Sequence, residues 1–379
     1  MKVLHVIPSM SPARGGPSIV LRSLMTPLVD RGVTVHVAAT DDDGPAARLR
    51  VPYGVAVPEG GASVFYFPRE TCFYSFSRPL ARWLAQHVRD YDLIHIHALF
   101  SFPSVAAARQ ARRQGVPYVI RPLGTLSAWG LKSRRPLLKR WSLAWIEKPL
   151  LRDAAAVQAT SEMEVQEILR VCPEARVIAI PNPVETPVGP LARPEPAAPF
   201  TILFLSRLDR KKGLEQLLAA FDRCVKVAAD LHLIVAGGGD PDYVDSLRES
   251  ASKGIRFTGA VDGEQKRLLF SQAHLFVLPS HSENFGVAVV EAMAHGVPVL
   301  ISPHVGIADA VAEAKAGVVT ECDEETLAGS ILRLSQSPAI LAEMSDNARQ
   351  FALRYAPELV AESLISAYES IVRGRATGA

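Results

Sequence analysis

Short runs of Val, Ile and Leu recur along this chain at helix-length intervals. They are VLHVI (3–7), TVHVAA (34–39), LIHIH (93–97) and YVIRP (118–122), then TILFLS (201–206), LHLIVAG (231–237), IRFTG (255–259), HLFVLPS (274–280) and VPVLIS (297–302). Strands that alternate with helices in this way predict parallel sheets covered by helices on both faces. The pattern is interrupted by PNPVETPVGPLARPEPAAPF (181–200), whose seven prolines in twenty positions suit an extended linker and not a helix. A length of 379 residues fits two domains. The expectation is therefore an α/β chain of two Rossmann-like domains, residues 1–180 and 201–356, joined by the linker 181–200.

The formal net charge of +2 conceals an asymmetry. Residues 1–180 carry 23 Lys and Arg against 14 Asp and Glu, whereas residues 181–379 carry 18 against 25. A basic half suits an anionic membrane surface or an acidic substrate, the alternative being simple drift in surface composition. Cys72, Cys172, Cys224 and Cys322 form no C-x-x-C pair and have no histidines at metal-ligand spacing, which argues against a zinc or disulfide framework and for a reducing compartment. No run of eighteen uncharged apolar residues occurs, and Pro8 comes too early for a signal-peptide core, so the expected location is cytoplasmic.

In open parallel sheets, ligands sit at the carboxyl ends of strands, so the following loops hold the candidates. SMSPARGGPS places Gly15 and Gly16 before a helix that Pro17 can open, which gives either room for an anionic ligand or only a turn. His97 ends its strand on the same face as His95; a functional role and a satisfied core histidine both remain open. RLDRKKG gathers Arg207, Arg210, Lys211 and Lys212 ahead of a helix starting near Gly213. A phosphate or diphosphate would satisfy these cations, although Arg210 and Lys211 also fit a solvated turn. The glycines of LHLIVAGGGDPDY lack the third glycine of a dinucleotide fingerprint, since Asp242 stands there, so NAD binding is rejected. Asp41 to Asp43 and Asp240-Pro-Asp242 suggest a metal-binding D-x-D, but capping and turn roles are the expectation.

SHSENFGVAVVEAMAHGVPVL (280–300) reads as a helix apolar on all sides, yet Glu291 lies within it and Glu283 at its entrance. A buried unpaired carboxylate costs several kcal/mol, so Glu291 should have a polar partner. The two carboxylates lie about two turns apart, and the amides from Asn284 to Val287 should face a ligand. An extended ligand with its phosphates between them has the shape of a nucleotide sugar.

Together Glu283-x7-Glu291 with Asn284, Phe285 and Gly286, the run AHGVPV (294–299), Arg207 with Lys212 and Gly213, and Gly15-Gly16 resemble the retaining GT-B glycosyltransferases of family GT4. The resemblance covers nearly the whole chain in order, and residues 121–168 are similar to the branch that builds bacterial surface polysaccharides. It implies two Rossmann-like domains facing across a cleft that closes on donor, with a last helix at 357–373 returning to the N-terminal domain. It implies that Glu283 contacts donor-sugar hydroxyls, Glu291 binds the ribose diol, and Arg207 and Lys212 neutralise the leaving diphosphate. Gly15 and Gly16 would pack against that diphosphate, His97 would lie near the sugar and the scissile bond, and the backbone at Ala260 and Val261 would hold the base. Asn284, Phe285, Gly286 and Val287 would complete the donor site. No Asp or Glu stands out as a nucleophile, so the implied reaction runs on one sugar face, without metal or other cofactor. The implied partners are a nucleotide-sugar donor, UDP- or GDP-linked, and a lipid-linked or saccharide acceptor, with no nucleic acid. A sugar-nucleotide epimerase or a non-catalytic sugar-nucleotide binder of the same fold is the alternative.

GLKSRRPLLKRWSLAWIEKPLL (130–151) combines Lys132, Arg134, Arg135, Lys139 and Arg140 with Leu137, Leu138 and Leu143. Trp141 and Trp145, four apart, share a helical face. Such a segment suits peripheral contact with the anionic inner face of a membrane. The opposing expectation is that both tryptophans face the core and the cations are solvated.

Overall fold

The computed structural model describes residues 1–44, 47–132, 135–187, 199–228 and 230–377. The chain divides into two compact units, Met1–Pro183 with Pro357–Ala379, and Val184–Ala356. Most of the proline-rich segment, residues 188–198, lies outside the described residues.

In the N-terminal unit the strands are β1 (Lys2–Ser9), β2 (Thr34–Thr40), β3 (Ala56–Glu59), β4 (Ala62–Phe67), β5 (Leu93–His97), β6 (Tyr118–Arg121), β7 (Ala156–Ala159) and β8 (Val177–Ala179). They form one sheet in the order β3-β4-β2-β1-β5-β6-β7-β8. Every residue of β5, β6 and β7 is buried, so β5 and β6 show no alternation of core-facing and solvent-facing residues, and even their polar members His95, His97 and Arg121 are enclosed. The sheet is not wholly parallel, because β3 pairs antiparallel with β4 at the edge. Pro58 is tolerated in β3 because an edge strand need not donate on its outer side. Serines cap the helices that cover this sheet: the side chains of Ser77, Ser101 and Ser161 accept from the amides of Leu80, Ser104 and Glu164 at 3.3, 3.4 and 3.2 Å. Each cap contributes about 1 kcal/mol.

The helix Pro357–Thr377 belongs to this unit. Arg31, the C-cap of the first helix, Gly16–Asp30, holds Glu362 at 2.8 Å, and the Tyr368 hydroxyl lies 2.5 Å from His95 Nδ1.

The acidic run after β2 departs from the expected capping and turn roles. Asp42 does accept from the Gly44 amide at 3.1 Å, but Asp41 and Asp42 are above all buried charges. Asp42 is gripped by Arg14, at 2.6 and 2.5 Å to its two oxygens, and by the buried Arg69. Asp41 accepts from the Arg69 amide at 2.7 Å and from the Tyr53 hydroxyl at 2.8 Å. Acids this deeply buried need cationic or donor partners, and three separate stretches of chain supply them. Asp240 does cap a helix, accepting from Tyr243 N.

The C-terminal unit contains β9 (Phe200–Leu205), β10 (Leu231–Ala236), β11 (Ile255–Gly259), β12 (Leu275–Leu278), β13 (Val299–Ile301) and β14 (Gly317–Val319). Its sheet is parallel, in the order β11-β10-β9-β12-β13-β14. β9 and β12 are adjacent although β10 and β11 intervene in sequence, so the order reverses there. That reversal brings the loops after β9 and β12 together at the carboxyl ends of the strands.

Candidate active site

Asp209 organises the basic loop after β9, its side chain accepting from the Lys211 amide at 3.1 Å. Gly213 follows with φ +66°, and a Cβ there would stand 1.9 Å from the Pro279 carbonyl oxygen. Only glycine therefore lets this loop lie against the end of β12. The Lys211 carbonyl accepts from the His281 amide at 2.7 Å and from Ser280 Oγ at 3.0 Å, which fixes the two loops to each other. As a result Lys212 is only 7% exposed, and its ammonium forms an ion pair with Glu283. Burial lowers the pKa of Lys211, and the neighbouring Lys212 charge lowers it further. The four cations thus part company. Lys212 turns inward, Arg210 lies over the Tyr243 ring at 5.0 Å, and Arg207 is exposed with Asp209 3.7 Å away.

Glu283 is held by its backbone, donating to His304 O at 3.0 Å and accepting from Gly306 N at 2.8 Å. Gly286 takes φ +94° immediately before the helix Val287–Ala294, which has no side-chain cap. The Val289 amide bonds back to the Gly286 carbonyl at 2.9 Å, and the amides ahead of it form a helix end suited to an anion. Phe285 is buried edge-on against Tyr355, at 5.4 Å between rings, which leaves its backbone as the part suited to a ligand. Asn284 and Val287 are half-buried.

Glu291 has the polar partner its position demands. Lys266 Nζ lies 2.6 Å from Glu291 Oε1, reaching from the helix Gly263–Gln272 that follows Ala260 and Val261. Lys266 carries no signal in the sequence, because it sits in a helix with an ordinary capping box and mostly exposed polar residues. The site therefore has two lysine–glutamate pairs, Lys212–Glu283 at the helix entrance and Lys266–Glu291 farther along it.

In the N-terminal unit Gly15 has φ +80° and Gly16 opens its helix, and a Cβ on either would meet nothing within 4 Å. His97 ends β5 fully buried, and its Nε2 lies 3.0 Å from His5 Nδ1. β1 and β5 pair in register with His5 opposite His95, so the three histidines share one patch of the sheet. Burial lowers the pKa of all three; His5 falls to about 3, and Arg121 pushes each of them the same way. All three are neutral at pH 7. Just beyond His97, Ala98 and Phe100 adopt left-handed φ values of 78° and 54°, which strain a non-glycine backbone.

These histidines are the one cluster among the described residues whose ligand atoms lie close enough for a metal, within 4.8 Å of one another. Two features oppose that use. The His95 and His97 rings stack at 4.4 Å with planes only 21° apart, so their in-plane lone pairs do not converge on one point. The buried Arg121 guanidinium would also repel a dication.

Residues 192–351 match the family model for glycosyl transferases group 1, and residues 15–183 match that for a glycosyl transferase 4-like domain. The chain belongs to the group 1 glycosyltransferases. This glycosyltransferase is 25% identical to a phosphatidyl-myo-inositol mannosyltransferase from Mycolicibacterium smegmatis, over 98% of this chain and 94% of that protein. It is also 25% identical to a D-inositol 3-phosphate glycosyltransferase from Stackebrandtia nassauensis, over 99% and 92%. Among solved structures, sucrose-phosphate synthase from Thermosynechococcus elongatus superposes with a TM-score of 0.81 at 23% identity, covering 99% of this chain and 100% of that one. HepE from Anabaena in complex with UDP-glucose gives 0.76 at 21% identity, covering 98% and 100%. The glycosyltransferase fold is therefore GT-B, built from two Rossmann-like α/β domains.

Proposed function

We propose that this glycosyltransferase moves a hexosyl group from a UDP- or GDP-linked sugar to a lipid-linked or saccharide acceptor in bacterial surface-polysaccharide synthesis, with retention of configuration and without a metal. The observation that carries the donor side is the pair of lysine–glutamate contacts flanking an uncapped helix start. A diphosphate entering there takes Lys212 away from Glu283, which frees the Glu283 carboxylate to accept hydrogen bonds from sugar hydroxyls. Lys212, Arg207 and the helix amides then balance the charge that develops on the leaving phosphate. Glu291, steadied by Lys266, accepts from the ribose diol, and the backbone at Val261 meets the base. For the N-terminal unit the same reading gives Gly15 and Gly16 to the diphosphate and His97 to the sugar. As the anomeric carbon–phosphate oxygen bond breaks, the acceptor oxygen bonds to that carbon on the same face and its proton passes to the leaving phosphate. Position and charge supply the rate. Anabaena HepE, of the same fold, forms a complex with UDP-glucose, which favours such a donor here. Proton NMR of the product should show the donor's anomeric configuration kept; an inverted product would rule out the one-face mechanism.

The acceptor side rests on residues 130–151. Leu137, Leu138, Trp141 and Trp145 are all exposed, Trp145 by 73% and Leu137 by 79%, so the expectation that the tryptophans face the core does not hold. The chain runs as an α-helix over Pro136–Ser142 and a π-turn over Leu143–Glu147, so the two tryptophans straddle the change of helix type. Arg135 lies over the exposed Phe73 ring at 4.8 Å and adds to the same basic and aromatic surface; Arg134 lies outside the described residues. Among the described residues no helix is long and apolar enough to cross a membrane. Contact at the headgroup level, with tryptophans in the interface and cations on anionic lipid, fits this surface and a lipid-linked acceptor. The protein should float with phosphatidylserine vesicles but not phosphatidylcholine vesicles, and high salt should release it. Serine at Arg134, Arg135, Lys139 and Arg140 should weaken binding by roughly 10²–10³-fold, each cation being worth about 1 kcal/mol. Equal binding to both lipids, or binding that survives the four substitutions, would favour a soluble acceptor.

A further inference from the structure

His5 sits in the middle of β1, fully buried, and the proposed transfer gives it no part. Its Nδ1 lies 3.0 Å from His97 Nε2, and neither atom has another hydrogen-bond partner among the described residues. We propose that His5 is a positioning residue for glycosyl transfer: through this bond it ties the tautomer of His97 to its own and holds the ring in place at the carboxyl end of β5. The inference rests on the reading that His97 serves the donor sugar.

Proton count couples the two rings. Burial keeps both rings neutral, so each carries one N–H and one lone pair. A 3.0 Å contact between two neutral rings is a hydrogen bond only if one nitrogen donates and the other accepts. The choice made at His97 Nε2 fixes the state of His97 Nδ1, which is buried with no partner among the described residues. Nδ1 is then a donor or an acceptor, but not both, so the buried ring holds one defined state at the end of β5. His95 is fixed separately, its Nδ1 bonding the Tyr368 hydroxyl, so it does not substitute for His5. The strained Ala98 and Phe100 that follow leave the backbone little freedom to realign the ring in the absence of His5.

The full-length protein, labelled with ¹⁵N-histidine, gives the tautomer of His97 directly from long-range proton–nitrogen spectra. Wild type should show one His97 tautomer. His5→Leu, which keeps volume and removes the bond, should change or mix it. His5→Asn places an amide group where Nδ1 stood and should restore a single tautomer. Turnover of the nucleotide sugar should follow the spectra: kcat down roughly 10–100-fold in His5→Leu with donor KM little changed, and restored to within about 3-fold in His5→Asn. An unaltered His97 spectrum in His5→Leu overturns the proposal, as does equal loss of turnover in the Leu and Asn variants. His97→Ala with normal turnover would instead sink the reading beneath it, leaving the spectral result to stand alone.

Discussion

Replacing Lys212 by alanine should lower kcat/KM for the donor by about 10²–10³-fold, the loss seen when one donor to a developing anion is removed. Lys212 is buried, directed into the site by the Gly213 turn, and paired with Glu283. On the proposed reading its removal takes away the charge that would face the leaving phosphate and leaves Glu283, with 20% of its side chain exposed, as an uncompensated negative group. Both effects act more strongly on the transition state than on bound donor, so kcat should fall along with kcat/KM. Glu291→Ala should behave differently. Contact with a ribose diol is the same before and during reaction, so donor KM should rise while kcat changes little. Steady-state kinetics on the two variants checks both statements, and unchanged kinetics in either removes that residue from the site.

Acidification should destabilise the N-terminal unit. His5, His95 and His97 have folded pKa values below the unfolded value of about 6.5, burial being the first cause and His5 falling to about 3. Below pH 6.5 the unfolded chain binds protons that the folded chain refuses, so stability is fully present above about 6.5 and is lost as pH falls toward the folded values. Each histidine contributes up to about 1.4 kcal/mol per pH unit. Glu147 and Glu167 act in the opposite sense, because burial raises their pKa, that of Glu167 to about 7. His36, whose pKa burial also lowers, joins the three, and four histidines against two glutamates leave a net loss of stability as pH falls from about 6 to about 5. All four tryptophans, Trp83, Trp129, Trp141 and Trp145, lie in this unit, so urea unfolding followed by tryptophan fluorescence reports on it selectively. A midpoint that stays constant or rises on acidification would contradict the histidine account.

Particular elements differ in how far the sequence discloses them. β12 is readable because a strand buried on both faces is a continuous apolar run, and β5 because its Leu and Ile residues frame two histidines. β14, three half-buried residues, and β3, an edge strand containing Pro58, carry no such run and emerge only from pairing with their neighbours. Glu283 and Glu291 announce themselves as carboxylates in an apolar helix and its entrance. Lys266 does not, because its role depends on a reach across 25 residues from an exposed helix. His97 draws attention as a strand-end histidine, whereas His5 becomes informative only when β1 is laid beside β5. Asp41 and Asp42 mislead because a run of acids after a strand has the look of a turn, and the arginines that bury them lie in other loops.

Whether the paired lysines and glutamates serve a nucleotide-sugar donor is decided by incubating the protein with UDP-, GDP- and ADP-linked hexoses, with a bacterial lipid extract and water as the available hexosyl acceptors, and following release of the nucleoside diphosphate. One base should be preferred, the diphosphate should be released without added metal, and Lys212→Ala should abolish most of that release. Conversion of the donor to an epimer with the nucleotide still attached would contradict glycosyl transfer at this site, as would binding of all three donors without release of any diphosphate.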